Sequence, residues 1–235
     1  YHPFPYAAAP ADYYSFDYGP VHVTVVDQYT TYTNPSAQYT WLVNDLSTST
    51  KKWKIIVLHA PGWSCDGGHP NDTTVQNTIQ PLCVTYGVQI VLAGHVHYYS
   101  RAVNNGIYHI TSGGGGAPLY DPLAGQPYVV TVSKSLDVVK VEISGSTLTG
   151  TAVNQTGTVL DTFSIVLDST PPTPDPMTWA TAPYATGSAA IAMVATTATD
   201  VSGVEYYFDE TSGNPGGSDS GWQDSETYTD TGLTP

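Results

Sequence analysis

The segment Asp168-Ser-Thr-Pro-Pro-Thr-Pro-Asp-Pro176 puts four prolines into nine residues, and no other stretch restricts the possible folds as tightly. Proline fixes φ and has no N–H to donate, so neither a helix interior nor a central strand can run through it. A stiff, extended linker can. Composition changes here too: beyond Pro176 there is no Lys or Arg, while Asp200, Glu205, Asp209, Glu210, Asp219, Asp224, Glu226 and Asp230 remain. The sequence predicts a domain over 1–167, a linker over 168–176 and a second domain over 177–235.

Within the first stretch the apolar pattern alternates between strand and helix periods. His22-Val-Thr-Val-Val26 reads as a strand, and Gln38–Leu46 carries Tyr39, Leu42, Val43 and Leu46 at helical spacing. Trp53–Leu58 and Gln89–Ala93 read as buried strands that end at His59 and at Gly94-His95. Between them Asn71 is placed to cap a helix reaching about Tyr86, with Val75, Ile79, Leu82 and Cys83 on one face and Pro81 tolerated. After Ile107–Thr111 the pattern turns all-β over Tyr128–Val132, Val138–Ile143, Thr147–Val153 and Val159–Val166. A strand–helix–strand core passing into antiparallel strands predicts an α/β layered sandwich. Beyond the linker, Ala189–Ala195 and Val204–Phe208 alternate apolar and polar residues between turn-rich segments, which predicts an all-β domain. Its roughly 60 residues fall short of the ~100 of an immunoglobulin sandwich, so a partial Ig/fibronectin-like sandwich is expected.

Charge narrows the partners. The 235 residues hold 6 Lys+Arg against 20 Asp+Glu, a net charge of −14, which argues against a nucleic-acid partner. No apolar run reaches the ~18 residues of a membrane-spanning helix. Abundant Tyr, Gly, Thr and Ser with few Lys suit a secreted or cell-surface bacterial protein. Cys65 and Cys83 are the only cysteines; one disulfide and two separate buried thiols are both open. The chain begins at Tyr1 without a signal-peptide pattern and reads as a mature form or a piece of something longer.

Two buried strands deliver histidines at their carboxyl ends, the edge where open α/β sheets gather functional groups. One turn is His59-Ala-Pro61, the other Gly94-His95-Val-His97. His95 and His97, two apart on an extended turn, can face one metal centre, with Gly94 allowing close backbone approach. Imidazole suits Zn, Fe, Mn or Ni.

Gly94-His-Val-His97, followed by Tyr98-Tyr-Ser-Arg101 and preceded by His59-x-Pro61, resembles the C-terminal half of the calcineurin-like metallophosphoesterases, in particular the purple acid phosphatase-like branch. Tyr14-Ser-Phe-Asp-Tyr-Gly19 before the first strand, Gln38-x-x-Trp41-Leu42 and the glycine strand-turn Thr111–Ala117 fit the same order over roughly residues 10–166. The resemblance implies a four-layer α/β metallophosphoesterase sandwich, present in part, and hydrolysis of phosphate esters, as monoesterase or diesterase. It implies a dinuclear metal centre, Fe with Zn, Mn or Fe. It assigns His59 and His95 to one ion, His97 to the other, and His69 to substrate contact or protonation of the leaving group. Two cations about 3.5–4 Å apart hold the ester, neutralise developing charge and turn bound water into the attacking hydroxide. The family's remaining ligands lie in Asp-x-His, Gly-Asp-x-x-Asp/Tyr and Gly-Asn-His segments, none of which occurs here; Gly-Asn itself occurs only at Gly213-Asn214. The centre is therefore expected to be incomplete in this chain, which reads as the downstream part of a larger enzyme and is expected to be inactive alone. The alternative is a non-catalytic secreted surface or assembly protein that keeps the fold and carries an adhesive Ig-like module, with cell-surface or carbohydrate contact.

Other features carry plainer expectations. His2, His22 and His109 read as terminus or strand residues, and Trp63 as pocket wall or surface aromatic. Gly113–Gly116 lacks a following helix or Lys, so it reads as a strand exit packed under the histidine loops and not as a phosphate cradle. Asn71-Asp-Thr73 and Asn154-Gln-Thr156 fit glycosylation sequons of low specificity. Asp200, Asp209 and Glu210 are of a type that binds Ca²⁺, though a solvated acidic face explains them as well. The tyrosines at 1, 6, 13, 14 and 18 suggest no chemistry.

Overall fold

A computed structural model describes residues 13–213 and 215–234; Tyr1, His2, Tyr6 and Asn214 lie outside them. The chain forms two compact units, one ending at Ile165 and one starting at Val166.

In the first unit, β1 (Tyr14–Tyr18), β2 (Val21–Val25), β3 (Trp53–Val57), β4 (Ile90–Ala93), β5 (Tyr99–Asn104), β6 (Ile107–Ser112) and β7 (Val129–Ser133) build one seven-stranded sheet in the order β1-β2-β3-β4-β6-β5-β7. The run β2-β3-β4-β6 is parallel, and β1, β5 and β7 add antiparallel edges. The crossover from β2 to β3 is α1 (Ala37–Thr48), whose N-cap Ser36 accepts from Tyr39 N. Leu42 and Leu46 face the core from it, as the spacing predicts. Gln38 is buried as well, because its amide accepts from Asp27 N and donates to Asp27 O, at 2.9 Å each.

The second crossover departs from expectation at its start. Asn71 does not cap it; Asp72 does, its Oδ1 accepting from Thr74 N at 2.7 Å and Val75 N at 3.3 Å. Asn71 is used elsewhere, taking the Ser64 N–H at 2.7 Å. The helix opens with a wide π turn over Val75–Ile79 before α2 (Gln80–Tyr86). Pro81 explains it: a ring without an N–H crowds the preceding turn, and a wider turn makes room. Val75, Ile79, Leu82 and Cys83 pack with Leu42, Leu46, Ile56 and Val91 between helices and sheet.

β8 (Asp137–Ser144), β9 (Thr147–Asn154) and β10 (Val159–Val166) form a three-stranded sheet in the order β10-β9-β8. It meets the other face of the large sheet. The Tyr108 ring stacks on Phe163 at 5.3 Å, and the Trp53 indole donates to Gly145 O at 3.3 Å. Helix, sheet and sheet therefore make three layers among the described residues. Two strands of the first unit depart from the sequence reading: β1, placed by sequence ahead of the first strand, and β5, which carries Tyr99-Ser-Arg101. In β5 the alternation is masked because Ser100, Arg101 and Asn104 sit at half-buried or buried positions.

Cys65 and Cys83 are both buried and unpaired. Burial pushes both thiols up, so they behave as small core residues.

The second unit has β11 (Trp179–Gly187), β12 (Ala190–Ala195) and β13 (Thr227–Thr231) in one antiparallel sheet. The expected strand Val204–Phe208 is extended but makes no ladder. Tyr206 and Phe208 face a small core with Ala195 and Ala198, while one isolated bridge, Tyr206 to Gln223, supplies the pairing. Alternation reports which face is buried, not whether a partner strand lies alongside. Asp200 and Glu210 turn their carboxylates onto Ser202 and Ser212 in their own loops.

Candidate functional site

Two adjacent parallel strands deliver the site. β3 and β4 run in register with Val57 opposite Leu92, and hydrogen bonds carry the alignment past their ends: Leu58 N donates to Leu92 O and Gly94 N to His59 O, both at 3.0 Å. His59 and His95 therefore emerge side by side. The His59 Nε2 and His95 Nδ1 atoms are 2.9 Å apart. The His59 turn is stapled by Gln28, whose Oε1 accepts from His59 N at 2.7 Å and Ala60 N at 2.5 Å. The same amide donates to Ala60 O at 3.1 Å.

The Gly94 reading needs correction. Nothing lies within 4 Å of where a Gly94 side chain would begin, so no close approach uses that glycine. The left-handed residue of the turn is His95 itself, at φ 61°. A non-glycine side chain held there is a strained conformation of the kind that clusters at functional sites. The glycine that matters is Gly113, at the exit of β6: a Cβ there would stand 2.0 Å from the Val96 carbonyl oxygen. Of the glycine run, Gly113 thus packs directly beneath the His95–His97 turn, whereas Gly114 meets Ser135 and Asp137 and the next two glycines meet nothing.

The structure brings the four sequence-selected histidines together. His97 Nδ1 lies 2.8 Å from Pro118 O. A carbonyl only accepts, so Nδ1 carries the proton and Nε2 keeps a free lone pair, the arrangement that orients metal-binding imidazoles. His69 packs against His95 with ring centroids 4.0 Å apart and planes tilted by 31°. The Gly-rich loop therefore does not leave it loose in solvent; Tyr98 OH donates to Asp66 O at 2.7 Å and Leu123 N to Cys65 O at 2.9 Å. Burial lowers the His95 imidazole from its ordinary value, and the neighbouring His69, His59 and His97 lower it further. Neutral imidazole is the ligand form.

These residues fit a metal in part. Two nitrogens each about 2.1 Å from one tetrahedral ion stand about 3.4 Å apart; His59 and His95, 2.9 Å apart in a direct hydrogen bond, would have to part slightly to share an ion. Among the described residues, no three His, Cys, Asp or Glu side chains converge on one point suited to an ion. The histidines supply a pair and an oriented third ring, and a full coordination sphere needs further donors.

The other two described histidines, His22 and His109, are internal. His22 bridges two carboxylates, Asp17 at 2.8 Å and Asp45 at 3.0 Å. His109 is buried, bonded to Gln80 Oε1 at 2.8 Å, with Trp63 packed edge-on at 4.6 Å. Trp63 is thus interior, neither pocket wall nor surface aromatic. Two residues of the site escaped sequence reasoning. Gln28 follows an ordinary strand, and Tyr120, whose ring stacks on His97, follows a glycine run, so neither carries a local signal.

Residues 1–99 match the family model described as calcineurin-like phosphoesterase. Purple acid phosphatase 18 of Arabidopsis thaliana is 38% identical over 116 residues, covering 44% of this chain and 26% of that protein. A Glycine max purple acid phosphatase is 32% identical over 150 residues, 61% of this chain and 30% of its own length. The chain thus spans about a quarter of the length of the curated relatives it matches. Among solved structures, the purple acid phosphatase PPD1 from yellow lupin aligns with a TM-score of 0.62 at 24% identity, covering 67% of this chain and 33% of that one. GAP50, the anchor in the inner membrane complex of Plasmodium, aligns at 0.58 and 17% identity over 68% of this chain and 56% of that one. The first unit has the metallophosphoesterase fold, and its sequence relatives include purple acid phosphatases.

Proposed function

We propose that the first unit is the histidine-bearing part of a metal-dependent phosphoesterase of the purple acid phosphatase type, acting on a phosphate ester. The observation that carries this is the 2.9 Å approach of His59 Nε2 to His95 Nδ1 across two strand ends. His59 and His95 would hold one ion and His97, through Nε2, a second, with the remaining ligands supplied by protein outside these residues. Bound ions would neutralise charge on the phosphoryl oxygens and acidify water. The chain's own work is then positioning. Gln28 fixes the His59 turn, Pro118 O fixes the His97 ring, and His69 contacts a phosphate oxygen or gives a proton to the departing alkoxide. His59 is exposed in this chain, on the side where the remaining protein would have to complete the site.

A second reading is a surface or assembly protein that keeps the fold without the chemistry. Two observations favour it: no three donors converge among the described residues, and GAP50, called an anchor, shares the fold. The second unit suits it too, as an Ig/fibronectin-like module. A cavity of about 750 Å³ there is lined by Trp179, Tyr206, Phe208 and Tyr228, and aromatic faces of this kind take sugar rings. Among the described residues no helix is long and apolar enough to cross a membrane; placement outside the cell remains part of this proposal.

Metal content separates the two readings. The phosphoesterase reading expects chain purified without chelators to take up Zn²⁺ in equilibrium dialysis, and His59→Ala or His95→Ala each to cut that uptake at least tenfold. Uptake indifferent to both substitutions would overturn it.

A further inference from the structure

His69 sits on the loop Cys65–Pro70, and the residue that meets it from the far side is Tyr120. The Tyr120 ring stacks on His97 with centroids 4.3 Å apart and planes 12° from parallel. It stands edge-on to His69 at 5.5 Å, and its hydroxyl lies 3.4 Å from His69 Nε2. Its backbone N donates to His97 O at 3.1 Å. Gly68 is glycine for the same reason: a Cβ there would fall 2.0 Å from the Tyr120 ring. One side chain therefore touches the histidine assigned to substrate and a histidine assigned to metal, and the loop between them is shaped around it.

We propose that Tyr120 is a positioning residue of the histidine site: its ring holds the plane of His97, and its hydroxyl donates to His69 Nε2. The unprotonated nitrogen of imidazole is a stronger acceptor than a phenolic oxygen, which sets the direction of that bond. The proton of neutral His69 then resides on Nδ1, leaving a single donor for a phosphate oxygen. At 3.4 Å the contact is long, as hydrogen bonds in sites without substrate often are, and closure around an anion would shorten it. The catalytic meaning rests on the phosphoesterase reading; the tautomer does not.

The test reads the tautomer directly. Long-range ¹H–¹⁵N correlation spectra of the chain with labelled histidine, taken well above the ordinary imidazole pKa of ~6.5, report which ring nitrogen of His69 carries the proton. Wild type is expected to show Nδ1–H at His69. Tyr120→Phe keeps the stack and removes the hydroxyl, so His69 is expected to move toward Nε2–H by about tenfold in the tautomer ratio, the scale a neutral hydrogen bond sustains. His97 is expected to remain Nδ1–H, and amide dispersion checks that the variant is folded. Tyr120→Leu removes both contacts and is expected to broaden the His97 ring signals as well. A wild-type His69 protonated on Nε2, or one unmoved by Tyr120→Phe, overturns the proposal. The Zn²⁺ dialysis described above keeps the two ideas apart. Indifference to His59→Ala and His95→Ala with a responsive His69 sinks the phosphoesterase reading alone, and the reverse pattern sinks the role of Tyr120 alone.

Discussion

Arg101 belongs to the motif that follows the histidine turn, yet it points away from the site. Its Nε donates to Asp161 Oδ2 at 2.7 Å and its Nη2 to Asp161 Oδ1 at 3.2 Å. Tyr99 OH adds a third bond to Asp161 at 2.7 Å. The two charged side chains are only 13% and 10% exposed, and the guanidinium lies 5.5 Å from the Phe163 ring centre. The pair pins β10 to β5. Arg101→Met leaves Asp161 with Tyr99 as its one side-chain donor in a nearly dry place. Removing one partner of such a pair costs about 3–5 kcal/mol; the surviving Tyr99 bond and residual exposure place this case near 3. Arg101→Met/Asp161→Leu removes both charges but takes the acceptor from the buried Tyr99 hydroxyl, so the loss should return in part, and adding Tyr99→Phe should bring stability to within about 1 kcal/mol of wild type. Urea denaturation followed by hydrogen exchange of β5 and β10 amides reads the first unit alone. pH gives a second handle. Burial pushes the Asp161 carboxyl up, but the bonds from Arg101 and Tyr99 outweigh it and hold the group below its ordinary value. Its stabilisation is therefore complete above the unfolded carboxylate pKa of ~3.9 and is lost as pH falls through the lower folded value. In Arg101→Met the sign reverses: burial dominates, the folded pKa rises, and protonation relieves the strain as pH falls. If Arg101→Met costs under 1 kcal/mol, or if the double variant is no more stable than the single, the pair is not a buried charge couple and the reasoning fails.

Two further outcomes follow from single residues. Burial lowers the His109 imidazole to about 4, so the folded chain keeps it neutral while the unfolded chain binds a proton below ~6.5; stability should fall by about 3 kcal/mol as pH drops from 7 toward 4, and His109→Phe should flatten that part of a urea-midpoint profile. Gly113→Ala forces a methyl group against the Val96 carbonyl, at an expected cost of about 2–3 kcal/mol, with the ring signals of His95 and His97 displaced in the NMR spectrum; an unchanged spectrum would show that the turn does not rest on Gly113.

What was legible in the sequence is what repeats. The parallel strands β3 and β4 are continuous apolar runs because both their faces are covered, and a run of that length ending in histidine marks the functional edge. α1 could be read from Leu42 and Leu46, since burial on one side of a helix leaves a 3.6-residue trace. β5 was hidden because Arg101 and Ser100 look polar. Arg101 is neutralised by a carboxylate 60 residues away, and no local window contains both. The helix cap falls one residue beyond the position the sequence predicts for a similar reason: Asn71 and Asp72 are equally good caps, and only the demand of Ser64 for the Asn71 carbonyl decides between them.

The site divides along the same line. His59, His95 and His97 stand at strand ends, so their meeting follows from strand register alone, and register is a local consequence of two apolar runs lying side by side. What makes the meeting chemically useful is not local. Gln28 reaches the His59 turn across 31 residues, Pro118 reaches His97 across 21, and Tyr120 reaches His69 across 51. Each is a hydrogen bond or stack between loops, and loops are placed by the sheet, not by their own composition. Residue type at a strand end therefore reveals the candidate site histidines, while the groups that set their ring planes and protons become visible only when distant loops are seen packed together. Substitutions at Gln28 or Tyr120 should accordingly leave the fold intact and disturb the histidines, whereas those at Arg101 or Gly113 act through the scaffold that brings the histidines together.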